Sequence, residues 1–132
     1  MFKRMILCVT EATPEEVIKV SIKLCSKDTQ VYALHVVRLL SDFSKKEALE
    51  RFSWVPYSFE KKGLKCQLEI LESTDVGKAI ISFAKNNSCD VIVTGTIPRK
   101  GLLGALSESV SDHIVKYAPC TVILIRKSDL KL

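Results

Sequence analysis

The sequence has no long hydrophobic run. Its apolar stretches, such as residues 31–34 and 121–125, fall far short of the roughly 20 residues that a membrane-spanning helix needs. The short apolar stretch at residues 5–7 is not followed by a small-residue cleavage pattern, so no secretory signal is predicted. We therefore expect a cytoplasmic protein with no membrane span.

The cysteines do not form a recognisable framework. There are 5 of them, none at C-x-x-C spacing and none with a histidine at a zinc-ligand interval. A disulfide scaffold or a zinc site is therefore not expected, and no metal site is predicted. Cys8 and Cys120 lie in apolar, strand-like runs, where a free cysteine behaves as a small hydrophobic residue. We interpret all five as structural residues.

Signatures of catalysis and of nucleic-acid binding are also missing. The chain has no G-x-S-x-G, no Walker P-loop, no H-E-x-x-H and no paired-carboxylate motif, so we do not expect an enzyme. Its 20 basic and 15 acidic residues give a net charge of +5, spread without blocks of one sign. Such a distribution indicates a solvated surface and no specific nucleic-acid partner.

What the chain does have is the composition of one globular domain. It contains 132 residues, of which 47% are hydrophobic and 27% charged. Strand-like and helix-like segments alternate along it, which predicts a parallel sheet with helices on both faces. The strand-like segments are residues 5–9, 30–37, 65–71, 90–95 and 121–126. Polar and apolar residues alternate over residues 65–71, which predicts a half-exposed strand at an edge of the sheet.

Two local signals predict where helices begin and end. Thr13 precedes Pro14 and lies three residues before Glu16, which is the pattern of a capping box and predicts a helix start. Residues 44–52 are helix-like, and Pro56 is predicted to break that helix. Parallel sheets of this kind bind ligands outside the carboxyl ends of their strands, so the loops at residues 10–13, 37–40 and 95–109 are the candidate site.

Four segments resemble the universal stress protein family. Residues 6–13 read I-L-C-V-T-E-A-T, where the family usually reads I-L-V-P-T-D-G-S. Residues 34–37 (L-H-V-V) and 90–96 (D-V-I-V-T-G-T) are similar to its second and fourth strands. Residues 109–112 and 117–126 are similar to its last helix start and terminal strand. The likeness runs in order along almost the whole chain, which predicts one universal stress protein domain over residues 1–132.

The resemblance implies a three-layer α/β/α sandwich with a five-stranded parallel sheet in the order 3-2-1-4-5, as in flavodoxin-like and adenine-nucleotide α-hydrolase-like folds. It also implies a homodimer through the last strand, Thr121 to Arg126. Some members of the family bind ATP or another adenine nucleotide and others bind none. The pocket residues implied here are Thr10, Glu11, Val36, Gly95, Arg99, Lys100, Ser109, Val110 and Ser111.

The chain departs from the nucleotide-binding members at two glycines. Those members carry G-x-x-G, nine residues, then G-[ST]; Gly95 and Ser109 match, but Pro98 and Glu108 stand where the other glycines belong. Pro98 removes one backbone N–H, and backbone N–H groups are what hold a phosphate in such loops. Glu108 puts a carboxylate where the phosphate would meet the helix start, so it would occupy the anion site.

These departures leave three hypotheses. The first is a non-catalytic regulatory or interaction protein with a degenerate nucleotide pocket and no bound cofactor. The second is a true adenine-nucleotide binder, with a shifted phosphate loop that uses Arg99, Lys100 and Ser109 and with slow hydrolysis. The third is a basic module that docks on an acidic protein partner. Nucleotide binding by the purified protein separates the first two.

Overall fold

Strands and helices alternate along residues 1–96 and 108–126, which the computed structural model describes. The strands are β1 (Arg4–Cys8), β2 (Gln30–Val37), β3 (Lys65–Glu72), β4 (Val91–Thr96) and β5 (Thr121–Arg126). The helices are α1 (Glu15–Lys23), α2 (Asp42–Arg51), α3 (Trp54–Glu60), α4 (Val76–Asn86) and α5 (Glu108–Tyr117). Pro98, Arg99 and Lys100 lie outside the described residues.

All five strands join one parallel sheet in the order β3-β2-β1-β4-β5. This confirms the order that the resemblance implied. The central strand β1 pairs with β2 on one side and with β4 on the other, and its last four residues are buried. The edge strand β3 alternates between exposed and partly buried residues, as its sequence predicted.

The sheet separates two apolar clusters, one on each face. Side chains alternate across a strand, so Met5 and Leu7 of β1 enter one cluster and Ile6 and Cys8 enter the other. The first cluster contains buried residues of α1, α2 and α3, and the second contains those of α4 and α5. The molecule is therefore a three-layer α/β/α sandwich, as predicted.

The start of α1 differs from the prediction. The helix begins at Glu15 with Pro14 as the N-cap, and no side chain caps it. The Thr13 hydroxyl instead accepts a hydrogen bond from the Thr10 backbone N–H at 2.9 Å. The predicted capping box was wrong because the loop before the helix uses that hydroxyl to close its own turn.

The predicted break in the helical path is present but lies at Phe52 and Ser53, between α2 and α3, and Pro56 falls inside the second helix. It lies in the first turn of α3, where a missing backbone N–H costs no helical hydrogen bond. The preceding helix, α2, is capped by Ser41, whose side chain exchanges hydrogen bonds with Ser44. Of the residues of α2 only Ala48 is buried, so α2 is the most weakly supported helix of the described fold.

The end of α4 is closed by a Schellman motif. The backbone N–H of Cys89 donates to the Ala84 carbonyl at 2.9 Å, and that of Ser88 donates to the Lys85 carbonyl at 3.4 Å. Ser88 takes the left-handed conformation that the motif requires, with φ of 51°. Glycine is the usual residue at this position because an L side chain is strained there.

We therefore expect Ser88→Gly to stabilise the protein. The change relieves the left-handed strain, and part of that gain is offset by the greater freedom of glycine in the unfolded chain. The net increase in the free energy of unfolding should be about 0.5–1 kcal/mol, measured by urea denaturation. A lower free energy of unfolding for Ser88→Gly would contradict this explanation of the turn.

The two helices on the second face approach each other closely at a glycine. A Cβ built on Gly77 of α4 would lie 2.8 Å from the His113 Cδ2 atom of α5. His113 is half-buried and its ring packs against Tyr117 at 4.7 Å between centroids. This histidine therefore fixes α5 against α4.

Candidate functional site

The carboxyl ends of β1 and β4 form the centre of the candidate site. Chain connections leave these two neighbouring strands in opposite directions, since β1 leads to β2 on one side and β4 to β5 on the other. Ligands of parallel sheets bind in the crevice that this reversal opens. The loop after β1 and the start of α5 both lie at this edge, because α5 follows β4 in the chain.

The loop after β1 is a tight turn with internal hydrogen bonds. Besides the contact between Thr10 and Thr13, the Thr10 hydroxyl accepts from the Ala12 N–H at 3.3 Å, and the Thr13 N–H donates to the Thr10 carbonyl at 3.1 Å. These bonds fix the turn and place Glu11 at its exposed tip. The carboxylate of Glu11 is thus presented at the crevice by a preformed loop.

Glu11 is not a free loop acid. Its Oε1 atom lies 3.3 Å from Nη2 of Arg51, at the end of α2. The guanidinium of Arg51 also lies over the Phe52 ring, 5.1 Å from its centroid. This pair ties α2 to the loop after β1 and balances the negative charge at the crevice. Because both side chains remain about half exposed, its effect on stability is small.

A buried histidine lies beneath this ion pair. Nδ1 of His35 is 3.0 Å from the Val9 carbonyl, which can only accept, so Nδ1 carries a proton. Nε2 then points toward Glu11, 3.9 Å from its Oε1. The ring packs on Phe52 with 4.4 Å between centroids. His35 is therefore a packed residue that supports the Glu11 loop.

On the other side of the crevice, β4 presents Gly95. Thr94 before it is fully buried, and its hydroxyl donates to the Gly95 carbonyl at 3.2 Å. A Cβ added to Gly95 would lie 3.5 Å from Val17 and 3.7 Å from the Ile125 carbonyl, which are ordinary contacts. The packing of the protein therefore does not require glycine here, so Gly95→Ala can test a ligand contact without disturbing the fold.

The start of α5 carries an unsatisfied polar group. Ser111 is 3% exposed, and its hydroxyl has no hydrogen-bond partner within the part of the chain that the structure describes. It lies one helical turn before the buried Ile114, on the face of α5 that packs against the sheet. A buried hydroxyl without a partner is costly, and in native proteins it often marks a place that a ligand or water fills.

The structure brings most of the predicted pocket residues to one edge. Thr10 and Glu11 follow β1, Val36 lies in the last part of β2, and Gly95 lies near the end of β4. The residues contributed by α5 are Ser109, Val110 and Ser111. Arg99 and Lys100 fall outside the described residues.

Sequence reasoning did not find Arg51. No motif surrounds it, and it reaches Glu11 only because the fold brings the end of α2 to the loop after β1. Its spacing from Glu47, with an Nη1–Oε1 distance of 4.0 Å, would have indicated only an ordinary helix-surface pair.

All five cysteines are free, and burial raises the pKa of each thiol. The pKa rises to about 12 for Cys8 and Cys66 and to about 11 for Cys25 and Cys89. These thiols are protonated at neutral pH. Among residues 1–96 and 108–126, no cluster of histidine, cysteine or acidic residues is arranged to hold a metal ion.

No helix within the described ranges is long and apolar enough to cross a bilayer.

The fold is an α/β sandwich, and its candidate site lies at the carboxyl ends of β1 and β4, where the strand order reverses. A family model described as the universal stress protein family matches residues 57–126. The curated universal stress protein MJ0531 of Methanocaldococcus jannaschii is 32% identical over 114 residues, covering 76% of this chain and 66% of that protein. The chain therefore belongs to the universal stress protein family.

Solved structures share the fold at lower identity. One is the structure of the hypothetical protein MJ0577, described as a structure-based assignment of its biochemical function. It superposes on this chain with a TM-score of 0.77 at 20% sequence identity, and the match covers 96% of this chain and 98% of that one. The universal stress protein of Archaeoglobus fulgidus in complex with dAMP has a TM-score of 0.73 at 22% identity, covering 92% and 96%. These likenesses confirm the α/β arrangement.

Proposed function

We propose that this protein is a non-catalytic regulatory protein that binds an adenine nucleotide at the carboxyl edge of β1 and β4, and that it favours a monophosphate over a triphosphate. The observation that carries the proposal is the Ser111 hydroxyl, which is buried in the first turns of α5 and has no partner among residues 1–96 and 108–126. A ligand phosphate or ribose oxygen would supply the missing partner. The dAMP bound to the protein from Archaeoglobus fulgidus supports an adenine nucleotide as that ligand.

The start of α5 suits an anion of limited charge. Backbone N–H groups at a helix start attract a phosphate, and the helix dipole adds to that attraction. The residue at which α5 begins is Glu108, so the sequence carries a negative charge at this point of the chain. The repulsion grows with each further phosphate, because a longer chain brings more negative charge to the helix start. AMP should therefore bind more tightly than ATP.

The opposite wall provides hydrogen bonds rather than charge. Glu11 is held by Arg51, so its carboxylate keeps lone pairs for hydroxyl donors while its net charge is balanced. A ribose offers such hydroxyls. None of the described groups at this edge forms a nucleophile and base pair, which supports binding without catalysis.

The test is calorimetric titration of nucleotide-free protein with AMP and with ATP. We expect a measurable affinity for AMP and at least tenfold weaker binding of ATP, which corresponds to about 1.4 kcal/mol or more. Absence of AMP binding at millimolar concentration would refute the proposed function. Binding of ATP at low micromolar concentration would refute the preference for the monophosphate.

Ser111→Ala should increase the stability of the protein and decrease its affinity for AMP. Removing an unpartnered buried hydroxyl should raise the free energy of unfolding by about 1 kcal/mol. The same change removes a ligand contact, so AMP affinity should fall by about fivefold, the equivalent of one hydrogen bond of about 1 kcal/mol. Chemical denaturation and calorimetry measure the two effects.

Ser21→Ala is the matched control. Ser21 is also fully buried on a helix, but its hydroxyl donates to the Val17 carbonyl at 2.8 Å. Its removal should bring no comparable gain in stability and should leave AMP binding unchanged. If Ser111→Ala behaves like Ser21→Ala in both measurements, the Ser111 hydroxyl has no ligand role.

We further propose that the protein is a homodimer through β5. This strand lies at the edge of the sheet, where its outer backbone groups have no neighbouring strand in the described fold. Leu124 on β5 is exposed, as are Val115 and Tyr117 on the adjacent α5. An apolar edge strand beside an apolar helix surface favours association with a second copy.

A further inference from the structure

Cys89 and Cys120 lie at the amino-terminal edge of the sheet, opposite the candidate nucleotide site. Val91 at the start of β4 is paired with Thr121 at the start of β5. Continuing that register back by one residue places Asp90 beside Cys120, with Cys89 next to it. Neighbouring strands lie about 4.8 Å apart, so Cys89, as the chain neighbour of Asp90, lies close to Cys120 at this edge.

Both side chains lie on the same face of the sheet. Cys89 is a buried member of the cluster that contains Ile92 and Ile114, and Cys120 packs against that cluster while remaining partly exposed. The two sulfurs also interact electrostatically: burial raises the pKa of Cys89 to about 11, and Cys120 adds to the rise. The thiols are therefore neighbours within one apolar layer.

The backbone holds each cysteine in place. The backbone N–H of Cys89 donates a hydrogen bond to the Ala84 carbonyl in the Schellman motif. The backbone N–H of the next residue, Asp90, donates to the Arg4 carbonyl at 3.0 Å. Asp90 also accepts from the Lys3 and Arg4 N–H groups, at 2.8 and 3.0 Å. On the other side, Cys120 directly precedes β5.

We propose that Cys89 and Cys120 are an oxidisable dithiol that forms an intramolecular disulfide when the protein meets a peroxide. The sulfur of Cys120, the more exposed of the two, attacks one peroxide oxygen; the O–O bond breaks and leaves a sulfenic acid and water. The sulfur of Cys89 then displaces the sulfenic oxygen, which leaves as a second water with the remaining thiol proton. Two thiols are oxidised to one disulfide and one hydrogen peroxide is reduced to two waters.

The crosslink would close a loop that contains half of the candidate site. Residues 90–119 include β4 with Gly95 and the whole of α5 with Ser111. A disulfide that closes such a loop restricts the unfolded chain and should raise the melting temperature. The proposal depends only on the placement of the two cysteines, and it stands or fails independently of nucleotide binding.

The experiment treats reduced protein with hydrogen peroxide, blocks the remaining thiols with an alkylating reagent and identifies joined peptides by mass spectrometry. We expect an intact monomer that has lost two hydrogen masses, with the peptides of Cys89 and Cys120 joined. The thiolate is the reacting form, so the rate should rise about tenfold per pH unit below the thiol pKa. Oxidation of single cysteines to sulfinic acid without this crosslink, or crosslinks only between chains, would overturn the proposal.

The other cysteines provide a matched control. Cys25 and Cys66 are a second pair of partly buried thiols, since Cys25 adds to the rise in the pKa of Cys66, and both pack on the opposite face of the sheet. Protein with both changed to serine should still lose two hydrogens on oxidation. Cys89→Ser should instead leave a sulfenic acid on Cys120 that dimedone labels. Cys120→Ala should abolish the crosslink, and a circular dichroism spectrum like that of the wild type will show that the variant has folded. A crosslink that survives Cys120→Ala would also overturn the proposal.

Discussion

Changing Pro98 and Glu108 together to glycine is expected to strengthen ATP binding by about tenfold to a hundredfold. Pro98 cannot donate a backbone hydrogen bond, and a missing donor to a phosphate costs about 1–3 kcal/mol. Glu108 is the first residue of α5, and its change to glycine removes one negative charge from the part of the chain where a helix start attracts phosphate. A tenfold change in affinity corresponds to about 1.4 kcal/mol, so the two effects together account for a gain in ATP affinity of about tenfold to a hundredfold.

The measurement is calorimetric titration of the double variant beside the wild type with ATP and with AMP. Binding of AMP should change less than binding of ATP, since the longer phosphate chain is the part that meets these positions. Gly95→Ala in the double-variant background is the control for location, because the protein itself has room for that Cβ. If the double variant binds ATP no better than the wild type, the barrier lies elsewhere, and Glu11 with Ala12 would be the next positions to change.

The fold was predictable because its strands carry their own signal. The predicted and observed limits of β2 are the same, since a strand covered on both faces reads as a continuous apolar run. The edge position of β3 was equally clear from its alternation. The roles of Thr13 and Pro56 were misinterpreted because local backbone geometry determines them. A threonine hydroxyl can close a turn instead of capping a helix. A proline is tolerated in the first turn of a helix.

The candidate site was predictable only where it follows a strand end. Thr10 and Gly95 could be placed because parallel strands bring their carboxyl ends to one edge. The pairing of Arg51 with Glu11 depends on how α2 lies on the sheet, and α2 is anchored in the core only through Ala48. The rotation of α5 about its axis determines that the Ser111 hydroxyl is buried and has no partner among the described residues. Such tertiary details leave no pattern in the sequence.

Ile123→Pro is expected to convert the proposed homodimer into monomers or insoluble protein. Ile123 is in the middle of β5, and a proline there removes a backbone donor and disturbs the edge that a second copy would contact. The same residue pairs with Val93 of β4, so the change also threatens the fold. A gentler variant, Leu124→Lys, places a charge on the exposed face of β5 and leaves the pairing of β4 and β5 intact.

Sedimentation at micromolar concentration measures the outcome. The wild type should sediment as a dimer and Leu124→Lys as a folded monomer with an unchanged circular dichroism spectrum. Leu39→Lys is the matched control, because Leu39 is a more exposed leucine that follows β2, away from the edge formed by β5. It should remain dimeric. If the wild type sediments as a monomer, the proposed dimer is excluded. If Leu124→Lys remains a dimer and Leu39→Lys becomes a monomer, the interface lies on the side of α2 instead of β5.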